Sequence, residues 1–238
     1  MISNASLVMV VGGSSGIGLG VARAVVQRGG SVLIVGRSRE KLEQAQGQLG
    51  SRARAIRADV TVESEVARLA AQSGAVDHLV VTAVAGAYAP IAQLELEAAR
   101  SVIDSKLVAA MLLAKHVGTK LPAGGSITLT SGIAKDRPMP GGAMVAAVNG
   151  ALSAFARALA LELAPARVNV VSPGWVDTPV WDRLAGSAKQ EKWDSLARRL
   201  PVGRIGSVED LAPAYLFLME NGFTTGTTIH VDGGHALS

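Results

Sequence analysis

Residues 7–21 read LVMVVGGSSGIGLGV, and their order decides the fold. Leu7–Val11 is a short apolar run that reads as a buried strand. The turn Gly12-Gly13-Ser14-Ser15-Gly16-Ile17-Gly18 follows at once, and a helical pattern continues to about residue 28. Glycines permit a tight turn and let a ligand approach the backbone, while a helix N-terminus offers unpaired N–H groups and a partial positive charge. A strand before, a helix after and a second strand within about thirty residues form the context in which such a loop holds a pyrophosphate. Without a ligand the same residues would be a glycine-rich turn only.

Outward from this loop the same rhythm repeats. Segments 7–11, 31–35, 54–58, 78–82, 126–130, 167–171 and 228–231 read as strands. They are apolar rather than alternating, as expected of strands buried on both faces. Helical patterns lie between them at about 17–28, 38–48, 61–72, 95–121, 142–163 and 208–219. The alternation predicts an α/β fold, a parallel sheet covered by helices on both sides. We expect one domain over residues 1–238. The long irregular stretch 173–206 contains Pro, Gly and Trp and reads as a loop, with a substrate lid at about 175–206.

Composition agrees with this class. The chain has 238 residues, 49% of them hydrophobic, which suits one large α/β domain and is short for two. With no cysteine, a disulfide framework and a thiolate metal site are excluded. The apolar run before the first glycine is too short for a signal sequence or a membrane span, so a cytoplasmic location without membrane attachment is expected. The net charge is +4, but the 23 Lys and Arg are scattered and aromatic residues make up only 3%. Nucleic-acid binding is therefore not expected. The charge is assigned to solvated surface and to a pocket for an anionic cofactor. His78, His116, His230 and His235 share no metal-ligand spacing, so no metal is expected.

The end of the second strand bears on the choice of dinucleotide. A carboxylate there would accept hydrogen bonds from the ribose hydroxyls of NAD. This chain instead has Val35-Gly36-Arg37-Ser38. Arg37 offers a planar fork of donors to a 2′-phosphate, which an acid would repel. The alternative for Arg37 is an exposed residue at a helix start. The cofactor expected is NADP(H) rather than NAD(H).

The spacing Gly-x-x-x-Gly-Ile-Gly resembles the short-chain dehydrogenase/reductase family, and the resemblance covers essentially the whole chain. Asp59-Val60 looks like the family's adenine-contacting pair. Arg167-Val-Asn-Val-Val-Ser-Pro-Gly174 looks like its sixth strand and the loop beneath the nicotinamide, which includes Pro173. Val176 and Thr178 match positions that hold the carboxamide and diphosphate, and Gly226-Thr-Thr-Ile-His-Val-Asp-Gly-Gly234 looks like the last strand. The resemblance implies a Rossmann-type, doubly wound, seven-stranded parallel sheet of order 3-2-1-4-5-6-7. It also implies a homo-oligomer, commonly a tetramer built through the helices at 95–121 and 142–163. Thr82 and Ala83, after the fourth strand, take cofactor-contacting positions.

Three departures stand out. The family's Thr before the first glycine is Val11, and its Asn-Asn-Ala-Gly is Val81-Thr82-Ala83-Val84. The third is chemical. The family places a Tyr and a Lys, four apart, about 13–14 residues beyond a catalytic Ser, here Ser131. Alignment through ALALELAP puts Val145 and Asn149 at those positions; counting from Ser131 without a gap gives Met144 and Val148. Either way the phenol and the ammonium are missing. Aligning Leu-Leu-Ala-Lys115 puts Lys106 where the family usually has a helix Asn, so Asn and Lys look exchanged. Lys106 also lies on an apolar stripe with Ile103 and Ala110. Its stem can cross that stripe to deliver an ammonium as proton donor or electrostatic stabiliser, or it can snorkel at a subunit interface.

Ser131, Lys106 and Asn149 are thus the candidate catalytic set, with Ser131 orienting a carbonyl oxygen and Asn149 a ribose hydroxyl. Trp175, Trp181 and Trp193 read either as an apolar substrate wall or as residues that fold the lid onto the domain. The functional expectation is an NADP(H)-dependent oxidoreductase acting on a small carbonyl or alcohol. The alternative is a dinucleotide-binding protein without turnover, a sensor or oligomer partner.

Overall fold

A computed structural model of the chain describes residues 2–82, 86–179, 181 and 189–238. Its seven strands are β1 (Leu7–Val11), β2 (Ser31–Gly36), β3 (Ala53–Arg57), β4 (His78–Val81), β5 (Ser126–Thr130), β6 (Arg167–Pro173) and β7 (Thr228–Val231). They form one sheet in the order β3-β2-β1-β4-β5-β6-β7, every pair parallel, as expected.

Successive side chains of a strand face opposite ways, and here both faces are covered. Val8 and Val10 point to one layer, packed by Val21 and Val25 of α1 (Gly16–Gln27), Leu42 of α2 (Arg39–Leu49) and Leu211 and Leu218 of a later helix. Met9 and Val11 point to the other. There they meet Val66 and Leu69 of α3 (Glu63–Gln72); Val102 of α4 (Leu96–Ile103) packs apart from them, with Val145 and Val148, while α5 (Ala109–His116) and α6 (Ala143–Glu162) complete this layer. Of the described helices, α6 is long and apolar enough to cross a membrane. Its stripe Leu152, Ala156 and Leu159 is buried in the core on this face.

Two expectations are corrected. The single helix expected over 95–121 is divided, because a π-helical turn, Asp104–Val108, separates α4 from α5. One extra residue in that turn re-aims the side chains around it, and such bulges are frequent at functional sites. The stretch 173–206 is not a loop throughout, since it contains α7 (Lys189–Ala197). The last helix is α8 (Val208–Glu220), opened by a capping box between Ser207 and Asp210.

The chain order reverses between β1 and β4. In a parallel α/β sheet the crevice beyond the carboxyl ends of the strands at this point is where ligands bind. Residues following β1, β2, β4, β5 and β6 all line a cleft there.

Candidate active site

The cleft has a volume of about 480 Å³. Its floor begins at the glycine loop. Ser15 caps α1 in an extended conformation but makes no side-chain bond to the helix, and no acid stands in the first turn. The first amides of α1 therefore have no internal acceptor and suit an anion. Gly18 has no room for a side chain: a Cβ there would overlap the Gly12 carbonyl and the Thr82 hydroxyl. Thr82 Oγ1 donates to Val11 O at 3.0 Å, which ties β4 to β1 beneath the loop. Across the loop, Thr178 carbons lie 3.5 Å from where a Gly16 Cβ would stand, so the loop after β6 closes over the glycines. These features fit a dinucleotide pyrophosphate.

Arg37 is exposed at the end of β2 and lines the cleft, while the Ser38 hydroxyl accepts from Lys41 N and caps α2. Two residues approach Arg37 in a way the local sequence did not show. Arg57 donates to the Arg37 carbonyl at 3.0 Å, which adds a second guanidinium. Asp59, just beyond β3, feels the charge of Arg37, so a carboxylate does approach the guanidinium. Burial raises the Asp59 pKa, but hydrogen bonds from Thr61 and the charge of Arg37 leave it below the ordinary value. Val60 is buried in the core, so only its backbone faces outward. Pro173 and Gly174 line the cleft. At Val176 the side chain is buried, and the flanking Trp175 and Asp177 backbones pair with Gly206. By strand geometry the Val176 N–H and C=O face away from that pairing. Ser14 is half-buried in the loop; Ala83 lies outside the described residues.

The chemistry-bearing centre sits where the π turn, β5 and α6 meet. Lys106 is 6% exposed, and its Nζ donates to Asn149 Oδ1 at 2.5 Å and to the carbonyls of Ser131 (3.2 Å) and Thr130 (3.5 Å). All three acceptors are neutral. Burial without a counter-charge pushes the Lys106 pKa down to about 8. Since Lys can only donate, Asn149 turns its Oδ1 to it and its Nδ2 the other way. That amide lies against Gly132, where a Cβ would come within 2.9 Å of Nδ2. A side chain at 132 would have to push that amide aside, a constraint with no signal in the sequence. Ser131 Oγ donates to Asn149 O at 2.9 Å, so its hydrogen serves α6 rather than the cleft.

Of the two alignment frames, Val145 and Asn149 line the cleft, and Met144 and Val148 are not among its lining residues. Val148 instead packs with Val102. The reading of Lys106 as an interface residue is corrected: it is buried within one chain. The other wall is aromatic. Trp175 and Trp181 line the cleft with ring centroids 4.7 Å apart, and Trp193 meets both edge-on. Tyr88, from the loop after β4, completes the rim. The sequence had marked none of Tyr88, Arg137 or His235 as cleft residues, yet all three line it. No group suited to a metal occurs among the described residues.

The family model described as enoyl-(acyl carrier protein) reductase matches residues 11–236. A short-chain dehydrogenase/reductase of Acremonium sp, ucsE, is 33% identical over 98% of this chain and 96% of its own length. The chain belongs to the short-chain dehydrogenase/reductase family. It is thereby placed among oxidoreductases that bind a nicotinamide dinucleotide. Among solved family members, a small-chain dehydrogenase in complex with NADPH is 32% identical, with a TM-score of 0.82 over 98% of this chain and 99% of that one. An NADPH-bound short-chain oxidoreductase of Pseudomonas aeruginosa PAO1, described as containing an atypical catalytic center, is 27% identical. Its TM-score is 0.92, covering 99% of this chain and 98% of that one. In this short-chain dehydrogenase/reductase the Tyr-x-x-x-Lys spacing occurs nowhere, since Tyr88 is followed at that distance by Ala92 and Tyr215 by Met219.

Proposed function

We propose that this protein is an NADP(H)-dependent oxidoreductase of the carbonyl reductase/alcohol dehydrogenase type in which Lys106 supplies the proton. The observation that carries this reading is the Lys106 ammonium, buried at the cleft wall on three neutral oxygens with a pKa near 8. Gly12, Ser14, Ser15, Gly16, Ile17 and Gly18 would hold the pyrophosphate, Arg37 and Ser38 the 2′-phosphate, and Asp59 with the Val60 backbone the adenine. Thr82, Ala83, Pro173, Gly174, Val176 and Thr178 would hold the nicotinamide half. The bound cofactor supplies or accepts the hydride. The rest falls to the chain. In reduction, Lys106 Nζ turns the N–H of its longest contact, the Thr130 carbonyl at 3.5 Å, to the oxygen that gains charge, gives it that proton and is left as a neutral amine, which burial favours. Before transfer its charge stabilises that oxygen. Asn149 Nδ2 offers a donor to a ribose hydroxyl. Ser131 holds the Asn149 backbone, and its hydroxyl rotor reaches a substrate oxygen only by giving that bond up.

The segment 175–206, of which 180 and 182–188 lie outside the described residues, acts as the lid in this reading, with Trp175 and Trp181 as its substrate face. Exposed apolar side chains on α5, α6 and α8 (Met111, Leu161 and Phe217) support a homotetramer. The cysteine-free chain suits the cytoplasm.

The missing Tyr-Lys pair favours one other reading, a dinucleotide binder without turnover. NADPH oxidation over a panel of ketones and aldehydes separates the two. Lys106→Met keeps the apolar stem and should lower kcat by about 10²-fold or more, the scale of general acid catalysis, with folding retained. Tight NADPH binding with no oxidation on any carbonyl would support the silent reading instead.

A further inference from the structure

The cleft crosses the sheet from Arg37, beyond β2, to His235, beyond β7. The β7 end holds basic groups outside the residues proposed above to hold the cofactor. A second cavity of about 340 Å³ adjoins the cleft there, and the two share Arg137, Met139, Trp175 and His235 as walls. The second cavity adds Arg199. Three distant segments thus bring positive or donor groups together: Arg137 from the β5–α6 connection, Arg199 from the end of α7, His235 from the final turn.

None of these groups is satisfied by its surroundings. Neither guanidinium has a hydrogen bond or ion pair among the described residues. His235 Nδ1 and Trp175 Nε1 are both buried without a partner. Burial holds the His235 pKa below its usual value; Asp232 opposes this, and the charges of Arg137 and Arg199 add to it, so both guanidiniums act on one ring. The nearby acids are spent locally. Asp136 also lines the second cavity, but its carboxylate is held by Lys135 at 2.6 Å and by His230 at 2.9 Å. Asp232 accepts from the Gly234 and Ala236 amides. Among the described residues lining the main cleft there is no carboxylate at all.

We propose that Arg137, Arg199 and His235 form an anion subsite for a carboxylate carried by the substrate. The substrate class is then a carbonyl or alcohol whose apolar body lies along Trp175 and Trp181 and whose far end is a carboxylate. Two unpaired guanidiniums offer planar forks that match a carboxylate, and the indole and imidazole nitrogens add donors in an apolar frame. The inference rests on the reading of the cleft as a substrate site, and binding can test it without turnover.

The chain's three tryptophans all stand in this wall, so intrinsic fluorescence reports its occupancy. We would titrate 3-phenylpropionate and 4-phenylbutyrate, and their primary amides, into the full chain with and without NADP+. At least one acid should bind about tenfold or more tightly than its amide, the scale of a charged hydrogen bond. In the Arg137→Gln/Arg199→Gln double variant that preference should fall below about twofold while amide affinity is unchanged. Both side chains are exposed, so folding should survive, which circular dichroism checks. Equal binding of every acid and its amide, or a preference that survives the double variant, would overturn the subsite. Inorganic phosphate giving the same arginine-dependent signal, and displacing the acids at equal affinity, would show a free-anion site and overturn the substrate assignment. The ketone 4-oxo-4-phenylbutyrate and its amide then separate the two proposals. Acid-selective binding with no NADPH oxidation on either keeps the subsite and counts against the reductase reading alone. Equally efficient reduction of acid and amide counts against the subsite.

Discussion

Lys106 sits in a place that disfavours its charge. Placing an ammonium in a nearly dry shell costs several kcal/mol after relaxation, and three neutral oxygens offset this only in part. The same imbalance lowers its pKa to about 8, which makes it a usable acid near neutrality. Lys106 was legible in the sequence because a lone cation interrupts an apolar helical stripe. Arg37 was legible for a similar local reason, as an arginine where a carboxylate would serve NAD. Replacing Arg37 with Ala should weaken NADPH by about 1.5–3 kcal/mol and leave NADH nearly unchanged, measured by calorimetry. Equal NADPH and NADH affinities in the parent protein would refute its role. Arg57, Gly132, Arg199 and His235 were not legible, because each matters through a neighbour far away in the chain. Arg57 reaches Arg37 from the neighbouring strand, and Gly132 makes room for an amide on α6.

Elements were readable wherever one pattern dominated. The five apolar residues of β1 followed by glycines allow only a strand and a turn, and the buried strands carry continuous apolar runs. The misses have physical causes. The polar helix α7 buries only Trp193, so it shows no apolar period. The π turn between α4 and α5 preserves the apolar stripe while changing its phase, which composition cannot reveal. The glycine loop is the element whose packing is least forgiving. Gly18→Ala would press a Cβ onto the Gly12 carbonyl and the Thr82 hydroxyl. It should cost about 1–3 kcal/mol, lowering Tm by several degrees, and NADPH affinity should fall with it. A variant with unchanged Tm and NADPH affinity would show that the loop has slack.

At the scale of the whole molecule, strand order followed from the resemblance and the structure agrees in every pairing. Assembly and substrate were less legible, since both depend on surfaces that several elements share. Leu161 is 82% and Phe223 102% exposed in the single chain, which suits surfaces covered by other subunits. Sedimentation at micromolar concentration should show a tetramer, and a monomer would contradict that assembly. The central claim is that one buried amine moves the proton for the whole enzyme. The pH dependence of kcat for NADPH-driven carbonyl reduction tests it most directly. Reduction needs Lys106 protonated, so kcat should be level below its pKa and fall as pH rises through about 8. Lys106→Met should be slow and should lose that step. A wild-type profile that stays level up to pH 10, or a Lys106→Met enzyme with the parent's rate and profile, would contradict the account.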